Sequence, residues 1–182
     1  MKRLIYILPV LGFLVIAGFL YRGLFLKPPG ATLELPSTMI NKPAPKLELP
    51  ALDAQTEGFG PKDLAAGHVT LINFFGSWCP ECHVEGPMLM QVAKEKGFDF
   101  YGIVQRDTPE KIRAFLAETG NPFGRIANDL DGRAGIEWGV YGAPETFIVD
   151  GKGVIRYKYL GPITPESWKN ELLPAIRAAS AS

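Results

Sequence analysis

The 182-residue chain has few of the residues that build metal centres and disulfide scaffolds. It contains only two cysteines, Cys79 and Cys82, and only two histidines, His68 and His83. A disulfide scaffold spreads its cysteines so that they close long loops, and a zinc site would need further ligands beside this pair. The sequence therefore argues against both, and it favours redox chemistry or ligation at the two cysteines.

An excess of either charge is also missing. The 19 basic and 19 acidic side chains give a formal net charge of zero at pH 7. Residues 1–26 hold Lys2, Arg3 and Arg22 without any acid, which leaves the rest of the chain slightly acidic. Such a domain gives no electrostatic reason to expect nucleic-acid binding.

The apolar residues concentrate near the N-terminus, where Leu4 to Tyr21 carries no charged side chain. As a helix this run would span roughly 27 Å at about 1.5 Å per residue, close to the bilayer core. A cleaved signal peptide has a shorter apolar region followed by a small-residue cleavage site, whereas Ala17-Gly18 lies inside this run. We therefore predict that residues 1–26 form an uncleaved single-pass anchor, with a cleaved signal peptide as the alternative.

The segment that follows, residues 27–45, is rich in proline and predicts an extended spacer between membrane and domain. The remaining length, 46–182, is that of one domain. Its pattern predicts strands and helices in alternation, which implies the α/β class with one mixed sheet and helices on both faces. We expect strands at 46–52, 69–75, 98–105, 145–150 and 154–160, and helices at 79–96, 108–119, 131–138 and 164–179.

The cysteine pair stands where the apolar strand 69–75 ends and the next helix begins. Unpaired backbone N–H groups and the positive end of the helix dipole stabilise a thiolate there, so we expect a lowered pKa for Cys79 and assign it as the nucleophile. Cys82 lies one turn later on the same helix face, which suits a resolving thiol. Disulfide exchange would then proceed through a mixed disulfide on Cys79.

Two other uses of the pair have to be weighed. Cys79 to His83 also matches Cys-x-x-Cys-His, the attachment pattern of c-type haem, with Met88 and Met90 as conceivable axial ligands. The position directly after a buried strand, and Pro87 within the helix, favour the redox interpretation. A purely structural disulfide would close too small a ring to stabilise the fold much.

The segment Asn73-Phe74-Phe75-Gly76-Ser77-Trp78-Cys79-Pro80-Glu81-Cys82 resembles the active-site segment of the thioredoxin superfamily. Gly139-Val140-Tyr141-Gly142-Ala143-Pro144-Glu145-Thr146-Phe147-Ile148-Val149-Asp150 resembles, more narrowly, a segment typical of the CcmG/DsbE group of cytochrome c biogenesis proteins. The resemblance extends from about residue 40 to the end of the chain, and the predicted anchor agrees with it.

This resemblance implies a thioredoxin-like fold with an inserted segment around residues 120–140. Pro144 would be a cis-proline facing the cysteines, and the backbone of Ala143 would pair with an extended substrate strand. The implied activity is reduction of the Cys-x-x-Cys-His disulfide of apocytochrome c on the periplasmic side of the inner membrane. Electrons would come from a membrane reductase of the DsbD or CcdA type, and no cofactor is implied beyond the Cys79–Cys82 disulfide.

One departure from thioredoxin is Asn73, which stands where thioredoxin has a buried aspartate. Asn cannot relay protons, so we predict that Glu85 or Glu145 takes part of that role. A carboxylate near the pair would also disfavour the thiolate and favour a reducing poise, near that of thioredoxin. Glu85 as a solvated helix charge and Glu145 as a polar strand end are the simpler alternatives.

Two aromatic residues complete the predicted site. Trp78 is expected to pack and to form part of the substrate rim, while Tyr141 could belong to either the rim or the core. Three functions remain beside the leading one: a broader anchored reductase of the TlpA or ResA kind, a haem-carrying electron-transfer protein, and a peroxidase of the peroxiredoxin type. The last is disfavoured because its resolving cysteine normally stands apart from its peroxidatic one.

Overall fold

The computed structural model describes residues 2–25 and 37–181, with side chains described from 9 to 22 and from 37 to 181. The chain divides into two units, Met1–Leu35 and Pro36–Ser182. Residues 26–36 lie outside the described part of the chain, and the end of the predicted anchor and much of the predicted spacer fall there.

The first unit contains helix α1 (Lys2–Phe25), with Pro9 inside it. Apart from Ala17, which is half-buried, its side chains between 9 and 22 are exposed, including the aromatic rings of Phe13 and Phe19. Within 2–25 and 37–181, no helix combines the length and the mean hydropathy required of a bilayer-spanning segment.

The second unit is built on a five-stranded sheet in the order β3-β2-β1-β4-β5. β1 and β2 are parallel, as are β2 and β3, whereas β4 runs antiparallel to both β1 and β5. The expected single mixed sheet is thereby confirmed. The strands are β1 (Val69–Phe75), β2 (Phe98–Gln105), β3 (Arg125–Asp129), β4 (Glu145–Val149) and β5 (Ile155–Leu160).

Helices cover both faces of the sheet, as predicted. They are α2 (Pro61–Leu64), α3 (Pro80–Val92), α4 (Pro109–Thr119), α5 (Arg133–Trp138), α6 (Pro165–Ser167) and α7 (Leu173–Ser180), with a π-helical turn at Trp168–Leu172 between the last two. The face of β1 that carries Leu71 and Phe75 packs against α3, α4 and α7, and we call it the α3 face. The opposite face, with Ile72 and Phe74, packs against α2 and α5, and we call it the α5 face.

β1, the most apolar stretch of the sheet, is its central strand. All seven of its residues are buried, as expected for a strand covered by helices on both sides. Cys79 and α3 follow directly after β1, at the end of the sheet to which the parallel strands point.

Four predicted elements need correction. Residues 46–52 form only isolated bridges, Leu49 with Phe59 and Ala51 with Ala127, instead of a regular strand. β3 (Arg125–Asp129) lies within residues 120–140, which were expected to be an inserted segment without a strand of the sheet. Helix α3 ends at Val92 rather than at 96, and the last helix is interrupted by the π-helical turn.

The N-terminal part of the second unit, residues 37–45, pairs with the end of the sheet. Asn41 N–H donates to the Ile155 carbonyl at 2.7 Å, and Ile155 N–H donates to the Lys42 carbonyl at 2.9 Å. Ala44 is buried and donates to Gly153. The folded unit therefore begins earlier than the predicted boundary at 46, because this segment continues the sheet beyond β5.

Candidate active site

The two cysteines form a disulfide at the N-terminus of α3, with their Cα atoms 5.3 Å apart. Cys79 is the N-cap residue, and its Sγ accepts a hydrogen bond of 3.1 Å from the Cys82 N–H. Both cysteines are about 1% exposed. The backbone donor predicted from the strand-to-helix position is thus directed at the sulfur of Cys79, where it would also meet a thiolate.

The turn before the cysteines is held by Asp107, a residue that the sequence analysis did not single out. Its Oδ2 accepts hydrogen bonds from the Ser77 N–H at 2.8 Å and from the Ser77 hydroxyl at 2.6 Å. Its Oδ1 accepts from the Thr108 N–H at the start of α4. One buried carboxylate therefore fixes the approach to Cys79 against the neighbouring helix.

Trp78, the predicted rim residue, directly precedes the disulfide. Its side chain is 52% exposed, and its indole Nε1 donates to the Gln105 carbonyl at 3.0 Å. The ring passes so close to Gly76 that a Cβ at that position would lie 2.5 Å from Nε1. A glycine at 76 thus allows the indole to lie across the end of the sheet.

His83, the histidine of the haem-like pattern, is half-buried. Its Nε2 lies 3.2 Å from the Ser77 carbonyl, and its ring meets Phe115 edge-on at 4.7 Å. These contacts give it a packing role beside the disulfide.

Glu85 is buried on α3 beneath the disulfide, on the α3 face, with 1% of its surface exposed. Cys82 and Glu85 line the same small cavity, together with the ring of Phe75. Glu85 Oε2 accepts from the Ile163 N–H at 3.0 Å, and Oε1 accepts from Asn73 Nδ2 at 3.3 Å. Burial raises the pKa of Glu85 to about 7, and the two hydrogen bonds oppose part of the rise. The alternative of a solvated helix charge is excluded.

Asn73 connects Glu85 to the sheet. Its amide Nδ2 also donates to Thr146 Oγ1 at 3.1 Å, while its Oδ1 has no hydrogen-bond partner among the described residues. Asn73, which replaces the buried aspartate of thioredoxin, thus lies on the α3 face next to Glu85. Glu85 supplies a buried carboxyl group in the position next to Asn73.

The peptide bond between Ala143 and Pro144 is cis, as the resemblance implied. Ala143 is half-buried and packs against the same apolar cluster that contains Cys79 and Cys82. The residues before it, Tyr141 and Gly142, are exposed. The segment Gly139–Pro144, which we call the cis-proline loop, thus lies beside the disulfide with part of its surface open to solvent.

Glu145 follows the loop and is directed to the opposite side of the sheet, the α5 face. Its Oε1 accepts from the Tyr141 N–H at 2.8 Å and from the Gly142 N–H at 3.1 Å. Its Oε2 lies 2.9 Å from Lys158 Nζ; the angles at this oxygen are not those of a hydrogen bond, so the contact is an ion pair. A proton relay through Glu145 would have to break that pair, which leaves Glu85 as the candidate for the predicted relay.

The structure therefore divides the predicted residues into two groups. Cys79, Cys82 and Glu85 come together on the α3 face, whereas Glu145 lies on the α5 face behind the cis-proline loop. Trp78 and Tyr141 are both exposed, Tyr141 at 60%. Within the described part of the chain, no cluster of three or more His, Cys, Asp or Glu side chains could hold a metal ion.

Comparison with known proteins agrees with this geometry. Residues 39–173 match the model of the Redoxin family. The thiol:disulfide interchange protein DsbE of Pseudomonas fluorescens biotype C is 44% identical over 178 residues, covering 98% of this chain and 96% of that protein. The DsbE of Allochromatium vinosum is 41% identical over 170 residues, covering 93% and 91%.

A solved structure supports the same assignment. The crystal structure of a protein assigned as DsbE from Chlorobium tepidum superposes with a TM-score of 0.66 at 27% identity, covering 78% of this chain and 97% of that one. The thioredoxin-like fold expected from the Asn73–Cys82 segment is thus confirmed.

The haem-attachment alternative loses its basis here, because both sulfurs are engaged in one buried disulfide and the relatives are interchange proteins. The pair Cys79–Cys82 is a thiol–disulfide redox centre. The chain belongs to the redoxin family and, within it, to the DsbE group of thiol:disulfide interchange proteins.

Proposed function

We propose that the protein is a membrane-anchored periplasmic reductase that reduces the Cys-x-x-Cys-His disulfide of apocytochrome c during cytochrome c maturation. The observation that supports the reductive direction is the position of Glu85, a buried carboxyl group that shares a cavity with Cys82. When ionised, this carboxylate disfavours a thiolate on the reduced pair by charge repulsion, which favours electron donation to a client. Protonation of Glu85 removes the repulsion, so the protonation of Glu85 and that of the thiols are coupled.

The chemistry divides into two exchanges. The thiolate of reduced Cys79 attacks one sulfur of the client disulfide, a mixed disulfide forms, and the other client sulfur leaves as a thiolate. Cys82 then gives its proton to ionised Glu85 and attacks the Cys79 sulfur. The second client sulfur leaves as a thiolate, both client thiolates take up protons from water, and Glu85 releases the proton that it accepted. The Cys79–Cys82 disulfide seen in the structure is the oxidised product.

The cis-proline loop is the proposed docking place for the client. The backbone at Ala143 would pair with an extended client strand, and Trp78 and Tyr141 would flank it. Trp78, directly before the buried disulfide, and Tyr141, in the cis-proline loop, are both exposed. Their exposure supports this assignment, because exposed aromatic side chains are typical of recognition surfaces.

Two partners complete the cycle. The disulfide must be reduced again by a donor of two electrons, which we propose to be a membrane thiol reductase of the DsbD or CcdA type. Residues 1–26 would hold the protein at the same membrane; the uncharged run from Leu4 to Tyr21 supports this.

Trapping of the client tests the proposal. Cys82→Ser in the full-length protein leaves the mixed disulfide on Cys79 unresolved, so the client remains covalently attached and can be identified from the membrane fraction. We expect apocytochrome c, or a maturation protein that carries its disulfide. Clients of unrelated kinds would instead favour the broader TlpA or ResA type of reductase, and recovery of the protein from the soluble fraction would contradict the anchor.

A further inference from the structure

A buried lysine lies behind the cis-proline loop, on the side of the sheet away from the disulfide. Only 2% of the Lys158 side chain is exposed. Its ammonium group has three neighbours: it donates to the Gly139 carbonyl at 2.6 Å, pairs with Glu145 Oε2 at 2.9 Å, and lies 3.8 Å from the centre of the Tyr141 ring. The ammonium group thus combines one hydrogen bond to a carbonyl, one ion pair with a carboxylate and one cation–π contact.

The strand register brings Lys158 to this place. Lys158 on β5 stands opposite Phe147 on β4, and Glu145 lies two residues away on the same side of β4. Such diagonal pairs are within reach of long side chains. The ammonium group is also 5.3 Å from the centre of the Phe147 ring, so it sits among aromatic rings rather than in water.

All three neighbours belong to one stretch of chain, from Gly139 to Glu145. Glu145 in turn accepts hydrogen bonds from the backbone of Tyr141 and Gly142. The first residue of the cis-proline loop, its exposed aromatic side chain and the residue after its proline are therefore tied to a single cation. Burying a charge is costly, and an apolar residue would fill the space of a lysine at lower cost. We therefore explain the buried lysine by its contacts with Gly139, Tyr141 and Glu145, which fix the cis-proline loop.

We propose that Lys158 is a positioning residue that selects polypeptide clients: it fixes the backbone of the cis-proline loop, and the ring of Tyr141, in the arrangement that an extended client strand requires. The inference rests on the proposed function, because it takes the loop to be the docking place. A small disulfide such as oxidised glutathione reaches Cys79 without needing an ordered loop, whereas a peptide strand pairs with the loop backbone.

Kinetics with two substrates test the role of Lys158. The reduced full-length protein is assayed with a disulfide-bonded Cys-x-x-Cys-His peptide and with oxidised glutathione. In Lys158→Met we expect kcat/KM for the peptide to fall about tenfold, mainly through KM, which is the effect of losing one or two hydrogen bonds to the client. The rate with glutathione should stay within about twofold of the wild type.

A matched variant on the same strand controls for lost stability. Arg156, whose side chain is 30% exposed, forms an ion pair of 2.7 Å with the buried Asp150, away from the cis-proline loop. Arg156→Met therefore removes an ion-paired cation from the same strand without touching the loop. It should lower the rates with both substrates equally or not at all. Equal loss with both substrates in Lys158→Met would overturn the positioning role.

The double variant Lys158→Met/Glu145→Gln distinguishes two roles of Lys158: fixing the cis-proline loop and neutralising the charge of Glu145. It removes the unpaired carboxylate that the single variant leaves buried, so the protein should regain stability while its KM for the peptide stays high. A normal KM in the double variant would show that Lys158 merely neutralises Glu145, and would overturn the inference. A wild-type protein without any preference for the peptide would instead overturn the proposed client.

Discussion

Glu85 and Glu145 are buried to almost the same degree, at 1% and 2% exposed, but they lie on opposite faces of the sheet. On the α3 face, Glu85 meets two neutral donors and, among the described residues, no cation, and burial raises its pKa to about 7. On the α5 face, Glu145 meets the ammonium group of Lys158 and two backbone N–H groups.

The difference separates two tasks. A carboxyl group with a pKa near physiological pH can take up and release a proton at little cost, which is what the resolving cysteine needs. A carboxylate that pairs with a buried ammonium group and accepts hydrogen bonds from two backbone N–H groups can hold a loop in place. We therefore expect variants on the α3 face to alter the chemistry with every substrate, and variants on the α5 face to alter stability and client recognition.

The largest effect should come from the nucleophile. Cys79→Ser removes the attacking sulfur, so reduction of insulin and of an apocytochrome disulfide should both fall to background. Cys82→Ser, the matched control one turn away, should still form a mixed disulfide. Activity that survives in Cys79→Ser would mean that the assignment of the nucleophile is wrong.

The ion pair should give the next largest effect, on stability. Lys158→Met leaves the carboxylate of Glu145 buried without its cation, which should lower the free energy of unfolding by about 3–5 kcal/mol. Urea denaturation at pH 7 measures it. Glu145→Gln in the Lys158→Met background should restore much of the loss; if it does not, packing around Lys158 matters more than charge.

A smaller effect is expected at Glu85. With Gln in its place, Cys82 has no base, and resolution of the mixed disulfide should slow by about 10²-fold at pH 7.5. In the wild type the same step should slow as the pH falls through about 7, because Glu85 becomes protonated. Single-turnover measurements isolate this step, and a pH profile that is identical in Glu85→Gln would remove Glu85 from the mechanism.

The free energy of unfolding gives a control for Glu85, because Glu85 should lower it as the pH rises, whereas the rate of resolution should fall as the pH falls. Its pKa is higher in the folded protein, about 7, than the usual 4.5 of a glutamate side chain, so the folded state binds the proton more tightly. That contribution, on the order of 3 kcal/mol, is present below about pH 4.5 and is lost as the pH rises through 7. Glu85→Gln should flatten this part of the stability curve.

The sequence was sufficient for the centre of the fold because its signals there are strong. A short, mostly apolar run rich in β-branched and aromatic residues, such as 69–75, predicts a covered strand, and Thr164 caps the last predicted helix as its position before Pro165 predicts. β3 was missed because it has only five residues and mixes Arg125, Asn128 and Asp129 with apolar ones. Its strand character comes from pairing with β2, which no local pattern records.

At the site, the sequence predicted which residues matter better than it predicted the contacts that each of them makes. Glu85 and Glu145 were both selected, but their different roles depend on which face of the sheet each one meets and on a cation from β5. Lys158 gave no signal of its own, because an isolated lysine in an alternating strand is usually solvated. Asp107 had a weak signal, since it stands directly before Thr108 and Pro109 at the start of a helix.

The segment that pairs with β5 has a practical consequence for preparing the protein. An unpaired strand edge is a template on which other chains can add, and it leads to aggregation. A shortened form that starts at 46 would lose the hydrogen bonds of Asn41, Lys42 and Ala44 and leave this edge bare. A client that binds by strand addition could then pair at the wrong edge, so a shortened form should begin at about residue 36.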